Sequence, residues 1–145
     1  MSRTISLDIK LDLQEKLTVI SLLEALVSSG LNPIINDTIN CLPIDDNEMY
    51  NWTKIKGCIS ELYDIVSVKE KDNEVIGVDL YWNNTDVGVT LLIFNPHDIS
   101  FSIDINVKYF DQKTQLIDFN WYSSKILLAL NDAFNVTQYT FSFIY

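Results

Sequence analysis

A chain of 145 residues that is 48% hydrophobic and 12% aromatic can bury roughly 70% of the surface its unfolded form exposes, which excludes a disordered protein. Four glycines and three prolines leave little material for a linker, so one domain over residues 1–145 is expected. Twenty acidic against ten basic side chains give a net charge of −10, which repels phosphate backbones and anionic headgroups and favours a basic protein partner over nucleic acid or a membrane surface.

Residues 4–11 alternate, with Ile5, Leu7, Ile9 and Leu11 on one face, and predict a first strand. Asp12, with Glu15 three residues on, has the form of a capping box and predicts a helix over 13–29. Its polar positions Gln14, Thr18, Ser21 and Ser28 make one narrow stripe, so the helix should be deeply packed. Gly30 ends it, and Pro33 prevents early resumption. Residues 31–48 are irregular. Trp52, Ile55, Ile59, Leu62 and Val66 then recur at spacings of three and four, predicting a second helix over 48–63 with Gly57 as a costly interior residue.

A short strand over 65–69 is expected next, followed by strands over 75–82, 87–94 and 99–109. Residues 87–94 are apolar on both faces, as a covered central strand is. Asn95-Pro96-His97-Asp98 is a turn, with Pro96 presetting the backbone at its second position. In 99–109, Ile99, Phe101, Ile103, Ile105, Val107 and Tyr109 alternate with Ser100, Ser102, Asp104, Asn106 and Lys108, which writes one buried and one wet face. Asp118 can cap a third helix, with Phe119, Tyr122, Ile126, Ala129 and Ala133 on one face. Residues 136–145 close the chain as an aromatic strand that can edge its own sheet or a neighbour's, so both a monomer and a homodimer are compatible with it. The order implies an α+β fold: a mostly antiparallel sheet of about five to six strands, a central four-strand meander, and helices on one face.

No reaction signature accompanies these elements. His97 is the single histidine, Cys41 and Cys58 lack a zinc-site spacing, and the four glycines are isolated rather than gathered in a phosphate loop. A non-enzyme without catalytic residue, metal or cofactor is expected. Two cysteines do not make a disulfide framework and are expected to stay reduced, Cys58 within the core. Charges interrupt the first thirteen residues where the apolar segment of a secretory signal would lie, and no apolar run is long enough to span a bilayer, so the cytoplasm is the expected location.

Two surfaces present themselves for a partner. Asp45, Asp46 and Glu48 beside Tyr50 combine long-range attraction for a basic protein with an aromatic anchor. Charge reversal at the three acids is expected to weaken partner binding and leave the melting temperature unchanged. The second surface is the wet face of the sheet, with Asp79, Tyr81, Ser102 and Asp104, shallow and polar and suited to docking a protein.

In size, acidity and α+β character, and in the stretches WNNTDVGVTLLIF at 82–94 and DFNWY at 118–122, the chain resembles the immunity proteins of bacterial toxin systems, including contact-dependent growth inhibition. That resemblance implies a protein that binds the basic C-terminal domain of a cognate toxin, often a nuclease, and covers its active or substrate-binding surface. Those families differ widely in fold, so the resemblance assigns no binding residue. The chain is also similar in charge and length to type III secretion chaperones, which dimerise and wrap an unfolded effector segment. Those usually begin with an amphipathic helix, whereas this chain begins with a strand.

Overall fold

In the computed structural model, which describes residues 4–12, 14 and 16–144, three helices cover one face of a nine-stranded antiparallel sheet. The first strand, β1 (Thr4–Leu11), buries Ile5, Leu7, Ile9 and Leu11 as its alternation requires. Helix α1 (Val19–Ser28) starts later than Asp12. Thr18 is its N-cap and exchanges reciprocal bonds with Ser21, a capping box six residues after the expected cap. Residue 15 lies outside the described residues, and Asp12 instead ties the end of β1 to Asn135 by a backbone and a side-chain bond.

The irregular segment contains short pieces of sheet: β2 (Leu31–Asn32), β3 (Ile34–Ile35) and β4 (Thr38–Cys41). Asn36 and Asp37, both at positive φ, form the two-residue turn between β3 and β4. Strand β5 (Thr53–Lys56) pairs with β4 and sets Ile55 against Ile39, so residues 48–56 are loop and strand rather than helix. Gly57, at φ +151°, separates that strand from α2 (Ile59–Lys71), a conformation no helix interior admits. Residues 65–69, expected as a strand, belong to α2. Its buried stripe is Leu62, Val66 and Lys69, and Glu61 near its start with Lys69 and Lys71 near its end complement the helix dipole.

The meander therefore has three strands, β6 (Ile76–Trp82), β7 (Gly88–Asn95) and β8 (Asp98–Ile105). The last ends four residues short of Tyr109 because Asn106 turns at φ +45°. A small hairpin follows, β9 (Tyr109–Asp111) with β10 (Leu116–Ile117). Helix α3 (Phe119–Ala133) is capped by Asp118, whose carboxylate accepts the Trp121 amide at 3.2 Å. The chain closes in β11 (Val136–Ile144), which pairs with β1 over its length.

The sheet runs β11-β1-β8-β7-β6-β4-β3, with β2 and β5 on side pairings. Leu7, Ile9, Phe101, Leu91, Val78 and Leu80 line its helix face and are buried against Leu22, Leu23 and Leu26 of α1, Leu62 and Val66 of α2, and Ile126 and Leu130 of α3. Each such side chain contributes about 1.5–3 kcal/mol on leaving water. Trp82 meets Trp121 edge-on at 4.6 Å and Tyr122 at 5.7 Å, locking α3 to the meander. Cys41 is the core cysteine. Cys58, expected inside, is exposed at the start of α2, and both thiols are free. No helix among the described residues is long and apolar enough to cross a membrane.

Candidate functional site

The acidic loop between β4 and β5 has an unusual backbone. Asp45, Asn47, Glu48 and Tyr50 all sit at φ between +53° and +61°. A residue with a Cβ pays roughly 1 kcal/mol for that conformation, so four within six residues persist only if the surroundings hold them. Asp46 holds the centre: it is buried, and its two carboxylate oxygens accept the amides of Tyr50 and Asn51, each at 2.9 Å. Lys69 holds the base. Its side chain, 1% exposed, donates to the carbonyl of Pro43 and to Glu74 Oε1 at 3.2 Å, and the same Glu74 oxygen accepts the Asp45 amide at 2.9 Å. A buried ammonium needs such partners, since leaving it unpaired costs several kcal/mol.

With Asp46 and Lys69 turned inward, the outward residues of the loop are Asp45, Asn47, Glu48, Met49 and Tyr50. Met49 is 70% exposed and Tyr50 44%. Beneath them lies a recess of about 320 Å³ walled by Asp46, Glu48, Lys69, Asn73 and Glu74. Its lining holds three acidic side chains and one basic one. Glu74 Oε2 is buried and has no hydrogen-bond partner among the described residues.

The second predicted surface adjoins this loop. A Cβ at Gly77 would lie 2.7 Å from Trp52 and 2.8 Å from Leu42, so the glycine lets the loop's ends lie on the outer face of β6. Asp79, two residues along, begins a polar chain across four strands. Asn40 Nδ2 on β4 donates to Asp79 Oδ2 at 2.7 Å, Thr90 Oγ1 on β7 lies 2.8 Å from Asp79 Oδ1, and the same hydroxyl lies 3.0 Å from Asp104 Oδ1 on β8. A hydroxyl carries one proton and can donate to only one carboxylate. The other contact is favourable only when that carboxyl is itself protonated. Desolvation, and then the charge of Asp79, raise the Asp104 pKa against the lowering effect of the Thr90 hydrogen bond, although the residue as a whole is exposed. Tyr81 lies over Gly88, where a Cβ would meet its ring at 2.9 Å, and desolvation with the charges of Asp79 and Asp104 raises its phenol.

Asp79, Tyr81 and Asp104 are thus one cluster. Ser102 is half-buried opposite Thr90 in the register, between that cluster and β1. Asp45, Glu48 and Tyr50 are together on the loop. Asp46 is the correction: it is a structural pin, so reversing its charge is expected to release the loop and not merely to weaken an interface. The alternation of the sequence overlooks Lys69, Glu74, Asn40 and Thr90. Lys69 has a legible signal, because a lysine in register with Leu62 and Val66 on an apolar helical stripe must find buried partners.

Among the described residues no group of three or more His, Cys, Asp or Glu side chains is arranged to hold a metal ion. His97 lies in the β7–β8 turn, where its carbonyl accepts the Leu11 amide and its amide donates to Asn95. Comparison with family models, curated proteins and solved structures returns no match.

Proposed function

We propose that the chain is a non-catalytic protein-binding protein that neutralises a basic partner, as an immunity protein does for the toxin domain of its own cell, and that it works in the cytoplasm. The acidic recess under the 45–50 loop carries this reading. Asp46, Glu48 and Glu74 bring three acidic side chains to its lining against the one basic side chain of Lys69. A lysine or arginine head from the partner, seated at the mouth of the recess beside the exposed Glu48, offsets that excess of negative charge. Met49 and Tyr50 at the rim then anchor the contact, on a loop whose shape is fixed before binding, which limits the ordering cost of association. The neighbouring sheet face, with Asp79, Tyr81, Ser102 and Asp104, extends the same contact toward β8. The net charge of −10 speeds encounter with a basic domain.

The test uses the C-terminal domain of the large protein encoded directly upstream of this chain's gene. Glu48→Lys and Tyr50→Ala, both at exposed positions, should each weaken binding by about tenfold or more and abolish protection of growing cells, with melting temperature unchanged. Association of the unaltered chain should slow as salt is added. Folded variants that bind and protect like the parent would remove the loop from the interface. Binding that survives high salt and requires an unfolded segment would favour the chaperone reading.

A further inference from the structure

We draw no further inference here: the strongest candidate, the exposed apolar patch of Phe110, Leu116 and Phe119 where the β9–β10 hairpin meets the start of α3, carries nothing because nothing in the structure shows what covers it.

Discussion

Asp104→Asn should make this protein more stable at neutral pH, although it removes a group that is hydrogen-bonded in the structure. Thr90 Oγ1 stands 2.8 Å from Asp79 and 3.0 Å from Asp104, which puts the two carboxylates within about 6 Å of each other with one hydroxyl proton between them. At effective dielectric constants of about 20–80 the repulsion is roughly 1–3 kcal/mol, and the exposure of Asp104 favours the lower end, about 1 kcal/mol. An asparagine amide donates to Thr90, which is then free to donate to Asp79. Because folding raises the Asp104 pKa above its ordinary 3.8, the folded state favours the protonated acid, and wild-type stability is lost as pH rises from 3.8 through the raised value. The gain from Asp104→Asn is therefore full at neutral pH and absent below about pH 3.8, where the native carboxyl is already neutral. Thermal melts of both proteins from about pH 3 to pH 8 measure it, with a neutral-pH shift in melting temperature of about 3–4 °C. A variant that is no more stable at neutral pH, or whose gain does not shrink with acid, refutes the shared-proton arrangement.

Other perturbations have similarly direct readings. Lys69→Met leaves the Pro43 carbonyl and Glu74 without their buried donor and should cost about 3–5 kcal/mol in a denaturant melt; a loss under about 1 kcal/mol would mean that the loop is not held from below. Asp46→Asn keeps one acceptor of two and should lower stability where Asp45→Asn does not, which separates the buried pin from its exposed neighbour in a single comparison. The Cys58 thiol is held below its ordinary pKa by Ser60, through its hydroxyl and its amide, and then by the Glu61 amide, whereas burial pushes Cys41 up. A disulfide reagent should titrate one thiol in the folded protein, with its half-maximal rate below pH 9.0, and the second only on unfolding; simultaneous reaction of both would contradict the burial of Cys41.

Local pattern alone is enough for the strands of long alternation. Ile5 to Leu11, Ile76 to Trp82 and Ile99 to Ile103 repeat with period two, and a strand with one buried face has no other way to satisfy that repeat. The α+β class, the cap at Asp118 and the antiparallel closing strand are legible for the same reason. Periodicity misleads at 48–69, where Trp52, Ile55, Ile59 and Leu62 fit a helical spacing across a boundary. Ile55 is half-buried beside a strand partner, Ile39, that lies sixteen residues away, and Gly57 turns at a φ that only its context reveals. Four left-handed residues in six could not be read from composition, because Glu and Tyr adopt that conformation only when a buried carboxylate holds them there.

The sequence by itself therefore determined which surfaces are polar, which is a matter of one residue and its neighbours two places away. Tertiary structure decided which polar residues face a partner. Asp45 and Asp46 are adjacent and chemically identical, yet one is exposed and the other accepts two amides inside the loop. Asp79 and Asp104 are far apart in the chain and share a hydroxyl because β7 lies between their strands. Pairing across a sheet is set by contacts between distant segments, and no local pattern encodes it.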